Sequence, residues 1–161
     1  MIIKERDVIK SADIFLLDNG EPVKKDITQF LGTKRVILFG LPGAYTSVCS
    51  KKHLPSFINN YSKLKSLEVD EIICVSVNDP YVMDAWGKSQ DIDNKIIMLA
   101  DPYLNFTKLI GAEVDKTEKG LGIRSNRYSM LIDNLIVLKI YEEKDTKSCD
   151  VSSGDYYLDN W

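Results

Sequence analysis

Val36-Ile37-Leu38-Phe39-Gly40-Leu41-Pro42-Gly43-Ala44-Tyr45-Thr46-Ser47-Val48-Cys49-Ser50 is the stretch on which the fold turns. Val36 to Phe39 is an apolar run of the kind that forms a buried strand. Gly40, Pro42 and Gly43 break it. Thr46 and Ser47 are good N-cap residues, and Leu54, Phe57, Ile58, Tyr61 and Leu64 then recur at helical spacing. The reading is strand, tight loop, helix, with the helix spanning Ser47 to about Leu67 and kinked where Pro55 interrupts it. Cys49 falls in the first helical turn, where unpaired backbone N–H groups and the positive end of the helix dipole favour thiolate over thiol.

Working outward, Ile14 to Leu17 reads as a short strand closed by a turn at Asp18-Asn19-Gly20-Glu21-Pro22. Arg35 to Phe39 is a central strand, and Glu71 to Val77, β-branched and almost wholly apolar, is another. Asn78-Asp79-Pro80 turns into a short helix, Tyr81 to about Lys88. Ile96 to Leu99 is a strand, and Leu104 to Ile110 a short helix stopped by Gly111. Arg127 to Ile132 and Leu135 to Tyr141 make a hairpin with Asp133-Asn134 as its turn. A polar stretch, Glu142 to Gly154, precedes a final segment, Asp155 to Trp161, read as a terminal helix. Strands alternating with helices, then a hairpin, then a helix, indicate one α/β domain over residues 1–161, with helices on both faces of a mixed sheet.

Composition narrows the function. With 44% hydrophobic and 28% charged residues the chain is of globular type. A net charge of −3 argues against nucleic acid or an anionic membrane as the main partner. No apolar run approaches the roughly 20 residues of a membrane span, and the first residues, Met1-Ile2-Ile3-Lys4-Glu5-Arg6-Asp7, lack a signal peptide's apolar stretch. A cytoplasmic location is the expectation. Three cysteines make no disulfide framework, which fits a reducing compartment. One histidine and scattered thiols offer no metal-ligand spacing.

The order β–α–β then β–β–α is that of a thioredoxin-like fold, but Thr46-Ser47-Val48-Cys49 keeps only the second cysteine of a Cys-x-x-Cys pair. Dithiol exchange of the thioredoxin kind is therefore excluded. Pro42 to Cys49 instead resembles the peroxiredoxin signature, Pro-x-x-x-Thr-x-x-Cys. Lys52-His53-Leu54-Pro55-Ser56-Phe57, Val75-Ser76-Val77-Asn78-Asp79, Trp86-Gly87 and Arg127-Tyr128-Ser129-Met130 resemble the peroxiredoxin-5 subfamily, and the similarity runs from about Ser11 to about Leu158. The resemblance implies a thiol peroxidase, without metal or organic cofactor, that reduces hydrogen peroxide and alkyl hydroperoxides. Cys49 would become a sulfenic acid; Thr46, Pro42 and Arg127 match the other members of the family's active-site quartet. Glutathione with glutaredoxin, or thioredoxin, would be the reductant, and a homodimer the assembly. The place of Cys149 resembles that of the resolving cysteine in intramolecular two-cysteine members, while other members lack that thiol.

The other candidates are weighed residue by residue. Cys74, within Ile72-Ile73-Cys74-Val75, is a core residue. His53 lies one turn after Cys49, but no Asn or Asp at a recognisable spacing completes a Cys/His hydrolase, which leaves an orienting or structural role. Arg124 reads as a charge in solvent or one that supports the site from behind its reacting groups, and Lys51-Lys52 as a solvated helix face. Asp150 beside Cys149 should raise that thiol's pKa and slow its attack. The alternative function is a redox sensor in which Cys49 is oxidised as a signal with little turnover. Thiolate formation alone cannot make a fast peroxidase. Going from a few per cent thiolate to nearly all of it gains about thirty-fold, roughly 2 kcal/mol. Aligning the peroxide and stabilising its leaving oxygen must supply the rest, and Arg127 and Thr46 carry suitable donors.

Overall fold

The structure is a computed structural model describing residues 1–161. Strand β3 (Arg35–Leu41) lies inside its sheet. It pairs in parallel with β4 (Glu71–Ser76) and antiparallel with β8 (Tyr128–Asp133). Beyond β4 lie β5 (Ile97–Ala100), β1 (Asp13–Asp18) and the edge strand β2 (Glu21–Asp26); beyond β8 lies β9 (Ile136–Glu142). The order β2-β1-β5-β4-β3-β8-β9 makes one mixed seven-stranded sheet.

Strand alternation sorts the core into two layers. Ile37, Phe39 and Leu41 join Cys49, Leu54, Phe57, Cys74, Trp86 and Tyr157 on one face. Val36 and Leu38 join Ile27, Leu31, Phe106 and Ile110 on the other. The first face carries α2 (Leu54–Asn59), α3 (Tyr61–Lys65), α4 (Pro80–Ser89) and α6 (Gly154–Asp159). The second carries α1 (Ile27–Leu31) and α5 (Asn105–Leu109). This is the expected three-layer α/β/α arrangement with a mixed sheet, terminal hairpin and final helix.

Several local readings need correction. Glu21-Pro22 is not turn but the start of β2, which pairs with β1 from Asp18↔Glu21 to Asp13↔Asp26. Its polar, proline-containing sequence suits an exposed edge. Asp26 ends it and caps α1, accepting from Thr28 N at 2.8 Å. A small separate ribbon, β6 (Glu113–Asp115) with β7 (Ile123–Ser125), is too short to show an apolar alternation in the sequence. The β8–β9 turn sits one residue later than expected, at Asn134-Leu135, both with positive φ (49° and 67°).

The helix after the central loop is also not continuous. Helical hydrogen bonding begins at Ser50 N→Thr46 O. A π-helical turn then spans Cys49–His53, closed by Leu54 N→Cys49 O, directly before Pro55. Proline lacks the N–H for the next ladder bond and crowds the carbonyl four residues back; the wider turn absorbs that defect. A break at Asn60 separates α2 from α3. The expected kink thus takes the form of one π turn with Cys49 at its start and His53 at its end.

Candidate active site

The loop after β3 is held from three directions. Asn78 Oδ1 accepts from Ala44 N at 3.0 Å and from Ser76 Oγ at 2.8 Å. Thr46 Oγ1 donates to Gly43 O at 2.8 Å, so its lone pairs remain while its proton is committed. Arg124 Nη1 donates to Pro42 O at 3.4 Å and Val77 O at 3.0 Å, and its Nε to Leu121 O at 2.8 Å. Arg124 is therefore a half-buried staple across the loop rather than a solvated charge. A Cβ on Gly43 would stand 2.9 Å from Arg124 Nη1, so any larger residue there would press on this staple. At the loop's tip Tyr45 takes a left-handed backbone (φ 60°) and leaves its side chain 60% exposed.

Strand register brings Arg127 to this loop. Gly40 faces Tyr128 across β3 and β8, and a Cβ at position 40 would lie 2.3 Å from the Tyr128 ring. Glycine lets that ring cross the strand. The residue before Tyr128 then falls at the C-terminal end of β3, beside the loop, where open α/β sheets place their sites. Cys49 and Arg127 are both buried, and Arg127 Nη2 donates to Cys49 Sγ at 3.4 Å. The same Nη2 donates to Thr146 O at 3.0 Å, and Nη1 contacts His53 Nδ1 at 3.1 Å. None of the ion pairs in the structure involves Arg127, so no carboxylate offsets its charge at the thiol.

Of the expected site residues, the structure sets Arg127 against Cys49, while Pro42 and Thr46 lie in the loop between β3 and Cys49, engaged with Arg124 and Gly43. Lys51 and Lys52 are exposed, as expected, and Cys74 is fully buried on β4 opposite Phe39. Burial holds the Cys74 thiol protonated, with the neighbouring Cys49 adding to the effect and Arg127 opposing it.

His53, Glu143 and the segment carrying Cys149 complete the surroundings. His53 is buried, and its Nε2 contacts Ser152 O at 3.0 Å. Burial, and next the Arg127 charge, push the His53 pKa down to about 3, so the ring is neutral. With both nitrogens engaged, it has no lone pair left for a metal. Glu143 Oε1 accepts from Asp150 N, Val151 N, Ser152 N and Ser152 Oγ at 2.7 to 2.9 Å, folding the polar segment back on itself. Cys149 lies half-buried in that segment with its pKa pushed up to about 11. The main cause is burial, not the expected Asp150, which contributes least; Arg127 pulls the other way. All three cysteines are free thiols.

Comparison with known proteins identifies the family. The redoxin family model matches residues 7–158. Peroxiredoxin-2D of Arabidopsis thaliana is 45% identical over 132 residues, covering 81% of this chain and 82% of the relative. The reduced Prx3 of Vibrio vulnificus in complex with hydrogen peroxide superposes with a TM-score of 0.92 at 39% identity, covering 98% of each chain. The Plasmodium falciparum antioxidant protein, a 1-Cys peroxiredoxin, gives 0.91 at 30% identity over 98% of this chain and 99% of its own. With a thiol and an unpaired guanidinium at the strand end and this similarity along nearly its whole length, the chain belongs to the peroxiredoxin family and is a thiol-dependent peroxidase of thioredoxin-like fold.

Proposed function

We propose that Cys49 is the peroxidatic nucleophile. Its thiolate attacks one oxygen of hydrogen peroxide or an alkyl hydroperoxide. The O–O bond breaks, Cys49 becomes a sulfenic acid, and the other oxygen leaves as water or alcohol after taking a proton. The observation that carries this is the Arg127 Nη2–Cys49 Sγ contact of 3.4 Å from a guanidinium with no carboxylate partner. Arg127 Nε–H is buried without a protein acceptor, so this donor is uncommitted. Thr46 offers its hydroxyl lone pairs, and buried Pro42 keeps bulk water from the sulfur.

We further propose that Cys149 resolves the sulfenic acid after its segment opens. In the closed state burial keeps this thiol protonated, so it is a poor nucleophile. Cys49 is wholly buried as well, and the π turn, the 143–154 segment, or both are the elements whose opening would expose the two sulfurs. An opened segment returns Cys149 to water and toward an ordinary thiol pKa. Thioredoxin is then the reductant for the intramolecular disulfide. In the second reading, glutathione with glutaredoxin reduces the Cys49 sulfenic acid directly; the similarity to a 1-Cys peroxiredoxin favours it. Cys149→Ser decides between them. Loss of thioredoxin-supported turnover with the first oxidation intact supports resolution, and unchanged recycling with both reductants makes Cys149 a bystander. A homodimer belongs to the same proposal: Tyr45, Tyr81 and Tyr103, each more than half exposed, are aromatic surface of the kind interfaces use. Sedimentation equilibrium tests it.

A further inference from the structure

The imidazole of His53 touches both Arg127 and the segment bearing Cys149. Its ring packs 5.0 Å from Phe39 and 5.7 Å from Phe57, centroid to centroid, so packing alone would account for an aromatic residue there. Hydrogen bonding asks for more. A backbone carbonyl only accepts, so the 3.0 Å contact with Ser152 O puts the ring proton on Nε2. A guanidinium only donates, so the 3.1 Å contact with Arg127 Nη1 needs the Nδ1 lone pair. The two partners therefore fix one neutral tautomer.

Ser152 O is itself a firm anchor. Glu143 Oε1 takes both Ser152 N and Ser152 Oγ at 2.9 Å. Two residues on, Gly154 N donates to Ser56 Oγ at 2.9 Å, and a Cβ at 154 would lie 2.5 Å from Ser56 O. The C-terminal segment is thus locked onto the helix that carries Cys49. One unbroken line of hydrogen bonds runs Glu143, Ser152, His53, Arg127, Cys49.

We propose that His53 is a positioning residue of the peroxidase site: through Nδ1 it holds Arg127 Nη1 and so sets the plane in which Nη2 meets Cys49 Sγ. Without that acceptor Nη1 is a buried donor with no partner, and the guanidinium is free to turn toward Thr146 O. The segment 143–154 feeds into the same geometry through Ser152 O, so opening it also slackens Arg127. The proposal rests on Cys49 and Arg127 as the reacting centre.

The test compares His53→Phe with wild type in three readouts: the second-order rate with hydrogen peroxide, the rate of Cys49 alkylation by iodoacetamide, and cooperative thermal unfolding. Phenylalanine keeps the aromatic packing and removes both hydrogen bonds. The expected result is a fold that still unfolds cooperatively and a peroxide rate lower by about ten- to a hundred-fold, the scale of a misaligned catalytic group. Alkylation, which needs no alignment of a leaving oxygen, falls much less. His53→Asn, which returns an acceptor near Nδ1, recovers much of the peroxide rate, while the near-isosteric His53→Leu does not; this pair carries the test should His53→Phe fail to fold. A His53→Phe rate equal to wild type, or Asn and Leu variants equally slow, overturns the proposal. Cys49→Ser run alongside separates failures: an active Cys49→Ser removes the reacting centre, whereas an inactive one beside an active His53→Phe removes only the role of His53.

Discussion

Because His53 is the only histidine in the chain, its protonation can be read from stability alone. In the unfolded chain it titrates near the ordinary histidine value, about 6.5, while in the folded protein burial and Arg127 hold it at about 3. Between these values the unfolded state binds a proton that the native state refuses. Stability is therefore unaffected by His53 above pH 7, falls as pH drops below about 6.5, and stops falling on this account near pH 3. At pH 5 the unfolded chain is favoured by about 2 kcal/mol relative to pH 7, and any folded value below about 4 gives the same figure. Depressed carboxylates such as Asp26, at about 2 chiefly through its hydrogen bonds from Ser11 and Thr28, lose their contributions at lower pH. Asp101, raised by burial, works in the opposite sense. Urea denaturation followed by tryptophan fluorescence at pH 7, 6 and 5 measures the total, and His53→Phe subtracts the rest. Wild type should lose about 2 kcal/mol more than the variant between pH 7 and 5. Equal losses would refute a buried, neutral His53. Meanwhile the peroxide rate of the folded enzyme should carry no titration from His53 between pH 4 and 7.

Arg127→Lys should slow peroxide reduction by about a hundred-fold while alkylation of Cys49 changes less, because lysine keeps the charge but lacks the fork that spans Cys49, His53 and Thr146; stopped-flow oxidation and iodoacetamide rates check both. Cys74→Ser should keep turnover and lose about 1–3 kcal/mol in urea denaturation, since a hydroxyl enters an apolar layer. Asn78→Ala should cost about 1–3 kcal/mol and lower the peroxide rate, because Ala44 N and Ser76 Oγ lose their shared acceptor; faster hydrogen exchange at the Ala44 amide is the local reading.

What the sequence disclosed and what it hid follow one physical division. Cys49, Thr46 and Pro42 are legible because a strand, a glycine-proline break and a helix start are local patterns. Arg127 became legible through its motif, and the reason it reaches Cys49 is the Gly40↔Tyr128 register between strands. Asn78, Arg124 and Glu143 act largely on backbone atoms, and Ser152 acts on His53 through its own backbone carbonyl; backbone partners leave no pattern in side-chain type or spacing. One signal was present for Asn78, which stands at the end of β4 inside a motif already singled out. For α1 it was Asp26 two residues before Thr28, a cap preceding a short helix. The helix break had a visible cause in Pro55, but proline alone does not say that the defect becomes a π turn ending at His53. Adjacency in sequence points to Asp150 as the cause of the Cys149 shift, but burial, which adjacency cannot reveal, dominates.

The most direct test of the central claim is the intact mass of the reduced protein after one equivalent of hydrogen peroxide, followed by peptide mapping. The account predicts oxidation confined to Cys49: a gain of one oxygen atom, or the loss of two hydrogens with a Cys49–Cys149 crosslink. Cys74 should remain a thiol. An unchanged mass with peroxide unconsumed, or oxidation that leaves Cys49 intact, would contradict it.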